Sequence, residues 1–221
     1  MKKAYQGQGL HLLAIVVLLA AMSYVLKFEN MLTGDLWGLT TKTWVAIALA
    51  TPILHQVYVV VIWRLELYKQ AISSRYGEKG FIVYGFFFLL FLAARPISII
   101  LLAFSNQETF DLSWTWRWIL TLVLAPPFLY LGFSIKKYFG IPRALGEDHF
   151  KPEEYRNGKM IKEGIFKYTN NGMYLYGFLG LYLPAILLAS KAALAVAIFQ
   201  HLYIWVHYFV TEKPDMEEIY G

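Results

Sequence analysis

The sequence contains no cysteine, which excludes disulfides, thiolate nucleophiles and Cys-ligated metal. Charge is scarce as well. Asp, Glu, Lys and Arg make up 16% of the 221 residues, against about 25% in an ordinary soluble domain. The Gly-rich turn of nucleotide-binding folds is missing, because Gly7-Gln8-Gly9 has neither a preceding strand nor a third glycine. Walker, zinc-protease and nucleophile-elbow motifs are absent. The five histidines show no HExxH spacing, so no metal site is expected. There is also no internal repeat and no low-complexity tract. What is abundant is apolar and aromatic: 58% hydrophobic, 18% aromatic, mean hydropathy +0.47. That balance describes an integral membrane protein with little room for a separate soluble domain.

A bilayer core needs about 20 apolar residues per helix. Six runs meet or approach that length: Leu10–Phe28, Trp44–Trp63, Phe81–Phe104, Trp118–Ile135, Met173–Ser190 and Ala192–Val210. The expected fold is therefore all-α, a polytopic transmembrane helix bundle of about six spans. Residues 1–135 supply the N-terminal spans, and residues 136–221 form a C-terminal region of polar loop, helix hairpin and charged tail. Lys2 and Lys3 before the first run, with Ala20-Ala21-Met22 inside it, outline a cleavable leader. The length of the run and its Lys27-Phe28 ending favour a first span instead. The last two spans are short, with Pro184 a candidate break in the fifth and a tight turn expected at Ser190-Lys191.

Of 20 Lys and Arg residues, fifteen fall at the N-terminus, after spans two and four, and in the tail. Four lie on the opposite side, and Arg95 lies within a span. By the positive-inside rule, both termini and the loop 136–172 face the cytoplasm. The net charge of +5 belongs to loops facing anionic lipid rather than to a nucleic-acid footprint, since the basic residues flank apolar spans. Trp37, Trp44, Trp63, Trp114, Trp116 and Trp118 fall near span ends, where interfacial rings sit.

Ionisable groups in lipid are costly, so each is a functional candidate. Arg95 precedes Pro96 and either binds the carbonyl that the proline frees or contacts an anion, a lipid phosphate or a carboxylate. His55 follows Pro52 and reads as a satisfied structural histidine, and Pro126-Pro127 as a kink. In span six, His201, Trp205, Tyr208 and Glu212 fall on one helical stripe, and Gln200, Tyr203 and His207 on an adjacent one. A lipid-facing helix has no use for either. Interhelical hydrogen bonding explains one stripe, whereas two stripes ending in a carboxylate point to a site.

The C-terminal region pairs Gly164-Ile165-Phe166-Lys167-Tyr168-Thr169-Asn170-Asn171-Gly172-Met173-Tyr174 with a tail from Glu212 to Gly221, separated by the hairpin. This arrangement resembles the integral-membrane methyltransferase superfamily, which includes isoprenylcysteine carboxyl methyltransferases and phospholipid N-methyltransferases. Gly164, Phe166, Lys167, Tyr168 and Tyr174 match its first signature, with Gly177 one place late. Asn170, Asn171 and Gly172 stand where the family has Arg-His-Pro. In the tail, Glu212, Met216 and Tyr220-Gly221 match, and Lys213 replaces a second glutamate. Together with Gly146-Glu147-Asp148-His149-Phe150, the tail looks most like the phosphatidylethanolamine methyltransferase branch.

The resemblance implies S-adenosylmethionine in a cytosolic pocket above the hairpin and a membrane lipid as substrate. It assigns cofactor binding to Gly164, Lys167, Tyr168, Asn170, Asn171, Gly172, Tyr174, Gly177, Tyr208 and Glu212. Glu212 suits the ammonium, the asparagines suit the carboxylate or adenine edge, and the tyrosines offer ring faces to a cation. The bland reading of Asn-Asn-Gly is a turn and helix cap. Methylating an ethanolamine amine requires removal of its proton first, for which Glu212 is the leading candidate, followed by His207 and His149. Arg95, His201 and Asp148 are the candidates for substrate contact. Other readings are a carboxyl or thiol methyltransferase of an apolar substrate, a steroid-reductase-like enzyme using NADPH, and a non-catalytic scaffold.

Overall fold

The computed structural model describes residues 3–156, 158–159 and 161–221. Met1 and Lys2, part of the leader-like outline, lie outside the described residues. The chain is almost entirely helical. α1 is Gln8–Val25, and a two-residue hairpin, β1 Asp35–Leu36 with β2 Leu39–Thr40, leads to α2, Thr41–Lys69. α3 spans Glu78–Ser105, and α4 spans Trp114–Ser134 and continues as a π turn, Ile135–Phe139. A short α5, Glu147–Phe150, lies in the polar loop. α6, Gly172–Tyr176, and α7, Leu179–Leu187, form the first arm of the hairpin. Its second arm is α8, Lys191–His207, followed by a π turn over Tyr208–Glu212 and then α9, Lys213–Tyr220.

Five of these helical stretches are long and apolar enough to cross a bilayer, and Gly172–Leu187 is a shorter apolar segment. Of the two spans expected to be short, only the fifth is; the sixth continues through a π turn into a 30-residue stretch, Lys191–Tyr220, and the fifth breaks at Gly177-Phe178 rather than at Pro184, which sits inside α7. α2 outruns the expected boundary at Trp63 because its last turns carry buried polar groups. Among them is Glu66, whose carboxylate accepts the backbone N–H groups of Ile72 (2.9 Å) and Ser73 (3.1 Å). Such bonds satisfy donors at the start of the next helical turn.

The helices alternate in direction, so the bundle has two faces. One carries the ends of α1, α2 and α3 nearest Gln8, Lys69 and Glu78, the loop 140–172 and α9. The other carries residues 26–40, 106–113 and the hairpin turn. On this second face Asn106 acts as a clamp. Its Nδ2 donates to the carbonyls of Asn30 (3.0 Å) and Thr33 (2.8 Å), and its Oδ1 accepts from Ser190 Oγ (3.1 Å) and the Ala192 amide (2.9 Å). Ser190 in turn caps α8 by accepting the Ala193 amide.

Between the faces, Ala48, Ala103, Ala185, Ala192, Ala193 and Ala197 are fully buried around Ile99, Leu102 and Tyr203. Small side chains let helices in lipid approach closely, where dispersion replaces the hydrophobic effect as the driving force. α8 is the central helix, packed against α1, α2, α3 and α7. Two of the six tryptophans placed at interfaces by sequence point inward instead. Trp44 donates to the Leu36 carbonyl (3.3 Å) and Trp63 to the Tyr84 hydroxyl (2.7 Å), and both are buried. An indole N–H needs a partner wherever it is buried, and the interior supplied one.

Candidate functional site

Trp63, near the end of α2, is the floor on which the polar loop is laid. Its indole N–H holds the Tyr84 hydroxyl, and that hydroxyl donates to the Leu145 carbonyl (2.9 Å). The next residue must be glycine. Gly146 has φ +87°, and a Cβ there would lie 2.5 Å from Trp63 Nε1. The chain then enters α5, which stacks the His149 ring on Trp63 at 4.0 Å between centroids and 21° between planes.

His149 is held at both nitrogens. Nδ1 is 2.9 Å from Asp148 Oδ1, and Nε2 is 3.6 Å from Asp215 Oδ2, an ion-pair rather than a hydrogen-bond distance. The second Asp148 oxygen accepts from the Tyr220 hydroxyl (3.0 Å), which itself accepts from Arg143 Nη2 (2.9 Å). Asp215 meets Arg64 Nε at 3.0 Å, and Arg64 Nη2 donates to the Thr211 carbonyl (3.3 Å). Burial alone would lower the His149 pKa, but the two carboxylates outweigh it and raise the value to about 9. Burial pushes the Asp148 carboxyl up, and its bonds to His149 and Tyr220 and the nearby Arg143 bring it below the ordinary value. His149 is therefore an imidazolium between two carboxylates at neutral pH.

The π turn Tyr208–Glu212 sits where α8 meets this cluster. Widening one turn by a residue changes the face that the chain presents beyond it, and such turns gather at functional sites. The two polar stripes of α8 have separate partners. On one, His201 Nδ1 lies 3.0 Å from the Tyr182 hydroxyl, and Trp205 and Tyr208 pack around Tyr174, with centroids at 5.9 and 5.3 Å. On the other, Gln200 binds Arg95 Nε (2.9 Å), the Tyr203 hydroxyl meets His11 Nε2 (3.1 Å), and His207 lies between the His11 and Trp63 rings. Interhelical hydrogen bonds and ring packing thus account for most of both stripes above His207.

Glu212 is different. Its Oε2 is buried with no hydrogen-bond partner among the described residues, within electrostatic range of His149, Asp148 and Asp215. His207 Nδ1 is also buried and unpartnered. A carboxylate oxygen buried without a donor is costly unless a cation or proton comes to it. An acidic oxygen left in this state suits a cationic ligand, and the Tyr174, Trp205 and Tyr208 rings, on the other stripe of α8, offer separate faces to one.

The glycines of the segment 164–177 serve a packing role. Gly164 has φ +57°, and its Cβ would lie 2.6 Å from Ser134 Oγ, the same atom that accepts the Ile165 amide at 3.0 Å. Gly172 abuts Ile165 and Phe166, and Gly177 abuts Leu131. The segment is thereby seated on α4. Lys167, Tyr168 and Asn170 are exposed, and Asn170 Oδ1 accepts from Lys162 Nζ (3.3 Å). Asn171 is half-buried at the start of α6 and its side chain makes no capping bond.

Arg95 and His201 form a deeper group. Phe178 stacks on both, 4.8 Å from the Arg95 guanidinium carbon and 5.3 Å from the His201 ring, and Arg95 Nη2 is buried without a partner. Arg95 thus reaches across to Gln200 on α8, and Gln200 in turn donates to the Ala48 carbonyl at 3.2 Å. Gln200 precedes Glu212 by roughly 18 Å of helix rise, so Arg95 is not brought to the Glu212 cluster. Asp148, His149, His207 and Glu212 do come together. The residues that sequence reasoning did not select are Trp63, Arg64, Tyr84, Arg143, Asp215 and Tyr220. Arg64 near the end of a span, and Asp215 one turn past Glu212, were the available signals.

The family model for phospholipid methyltransferases matches residues 116–221. Among curated proteins, a phosphatidylethanolamine N-methyltransferase of Lodderomyces elongisporus is 36% identical over 70 residues, 31% of this chain and 8% of the relative. One of Debaryomyces hansenii is 37% identical over 70 residues, covering the same shares. One of Pyricularia oryzae is 35% identical over 63 residues, 28% of this chain and 6% of the relative. The chain's match spans less than a tenth of the length of these relatives. No solved structure matches significantly. The matched region contains α5, the segment 164–177, α8, both π turns and α9, and so every part of the Glu212 cluster except what α2 and α3 contribute. Over residues 116–221, just under half of its length, this chain is similar to the phospholipid methyltransferase family.

Proposed function

We propose that the protein transfers a methyl group from S-adenosylmethionine to the amine of a phosphatidylethanolamine-type phospholipid, at the face that carries Glu212, His149 and α9. The observation that carries this reading is the buried carboxylate oxygen of Glu212, without a hydrogen-bond partner among the described residues, in the family-matched segment and within electrostatic range of His149, Asp148 and Asp215. The fifteen basic residues on this side support its placement in the cytosol, where the methyl donor is made. Similarity to the family over residues 116–221 supports the donor, and the donor set fits it. Glu212 and the faces of Tyr174 and Tyr208 suit its cationic parts, and Asn171, beside the first turn of α6, suits its carboxylate. When bound, S-adenosylmethionine supplies an electrophilic methyl group on a sulfonium.

The rest of the work falls to the chain. A protonated ethanolamine must lose its proton before its nitrogen can attack the methyl carbon in line with the departing sulfur. Glu212 Oε2 accepts that proton, with His207 Nδ1, also buried and without a hydrogen-bond partner among the described residues, as the second candidate acceptor. His149 is a poor base because it already holds its proton between Asp148 and Asp215, and it instead fixes the charge around Glu212. The aromatic wall tolerates an amine that gains methyls and keeps a positive charge. The expected outcome for Glu212→Gln is loss of lipid methylation by at least a hundredfold with unchanged expression and melting temperature, measured with a radiolabelled donor in membranes. Full activity in that variant removes the assignment.

A further inference from the structure

A gap of about 390 Å³ opens between the first half of α1 and the second half of α2. It falls in the range of small-molecule sites, about 300–1,000 Å³. The gap exists because α1 leans on α8 instead of α2. Gly7 comes so close to Val210 that a Cβ would lie 2.8 Å from its carbonyl oxygen, and His11 reaches Tyr203 on α8. The outer walls are apolar and open to the bilayer: Leu12 is 64% exposed, Val57 47% and Val61 49%, with Ile15 deeper. At the aqueous end stands Lys69, exposed and with no ion pair among the described residues. Val57 lies roughly 18 Å below Lys69 along α2, a depth suited to an acyl chain.

The inner wall is polar and continuous with the site. Gln8 Nε2 donates to Thr211 Oγ1 (3.3 Å), within the π turn that ends at Glu212, and Gln8 Oε1 lies 3.3 Å from His11 Nδ1. A gap in the hydrocarbon region forfeits dispersion contacts on every wall until something fills it. A cation above an apolar channel with a polar inner wall is complementary to one kind of occupant, an anionic phosphate carrying a hydrocarbon chain.

We infer that this gap seats the acceptor phospholipid, its phosphate at Lys69, one acyl chain along Leu12, Ile15, Val57 and Val61, and its headgroup turned inward past Gln8 toward Glu212. The inference rests on the function proposed above and supplies the route by which a lipid of the bilayer reaches a buried carboxylate. The full chain is placed in phosphatidylcholine nanodiscs containing a few per cent of phosphatidylethanolamine with a diazirine in its acyl chain. No methyl donor is added, and crosslinks are mapped after irradiation. Expected are crosslinks concentrated at residues 12–15 and 57–61, falling at least tenfold in Val61→Trp and at least threefold in Lys69→Glu. Should Val61→Trp fail to fold, the Lys69→Glu comparison decides alone. Labelling spread evenly over bilayer-facing positions such as Phe86 and Leu122 overturns the inference. Because labelling requires no methyl transfer, the two readings fail separately. Wild-type protein that labels in the gap but methylates no lipid keeps the site and loses the function. Methylation with labelling elsewhere keeps the function and loses the site.

Discussion

His149 lies flat on Trp63 with Asp148 at one nitrogen and Asp215 near the other, and this geometry fixes how the cluster responds to pH. Its pKa is about 9 in the fold against 6.5 for an ordinary histidine. The bound proton therefore stabilises the fold fully below about pH 6.5, and the benefit is lost as pH rises through 9. Asp148 has the opposite sign. Its lowered pKa stabilises the fold above its ordinary value of 3.8 and ceases to do so as pH falls below it. The melting temperature of the purified protein should thus be flat between about pH 5 and pH 6.5 and drop from there to about pH 9, and His149→Gln should melt lower at pH 6 with the alkaline drop removed. An identical alkaline drop in the variant would mean that another group titrates. Asp215 offers a second test, because removing its charge leaves Arg64 and His149 buried without it. Breaking a buried pair costs about 3–5 kcal/mol, so Asp215→Asn should lower the melting temperature sharply, while exposed Glu153→Gln should leave it unchanged. Asp148 and His149 were legible in the sequence as candidates, but their pairing with Asp215 and Arg64 was not. Arg64 and Asp215 lie about 150 residues apart in sequence, and no spacing rule links them, whereas Glu212 stood out as a carboxylate ending an apolar helix.

At the scale of elements, hydropathy and length found every long helix, because burying twenty apolar residues in lipid leaves few alternatives to a helix. The break at Gly177 and the extension of α2 escaped it, since both answer to particular neighbours: Leu131 beside Gly177, and the amides of Ile72 and Ser73 on Glu66. The π turns escaped it too, because a helical wheel assumes one period throughout. The stripe drawn from His201 to Glu212 crosses such a turn, and its upper members face Tyr174 and Tyr182 while Glu212 joins Asp148 and His149. Inserting one alanine between Lys213 and Pro214, past the π turn, should rotate the rest of α9 by roughly 100°. That rotation would separate Asp215 from Arg64 and abolish the proposed methyl transfer, with helix content by circular dichroism preserved. Retained activity in the insertion variant would show that the register is unimportant. Gly164 gives a parallel test on the segment before the hairpin. At φ +57° with Ser134 Oγ in the way, Gly164→Ala should cost more than the roughly 1–2 kcal/mol of a left-handed alanine and expose residues 165–177 to protease. Gly9→Ala, which meets open space in α1, should leave stability unchanged or slightly raised.

For the whole molecule, the bundle separates two tasks along its depth. One half is closed by alanines and clamped by Asn106, and the other half holds nearly every buried ion pair and opens sideways between α1 and α2. A chemical site at one rim of a tightly packed bundle can admit a lipid from the bilayer and a polar donor from the adjoining solution. Because the chain has no cysteine, its orientation can be read with single reporters. Glu154→Cys should react with an impermeant maleimide only after cells are opened, and Trp37→Cys should react on intact cells. The reverse pattern would invert the assignment of faces. The central claim, methyl transfer to a phospholipid amine, is tested most directly by incubating the purified protein in phosphatidylethanolamine nanodiscs with methyl-labelled S-adenosylmethionine and identifying the labelled product. The account predicts label in N-methylated phosphatidylethanolamine, stable to base and absent with Glu212→Gln. Label that is released by mild base as methanol, or no transfer to lipid at all, would contradict it.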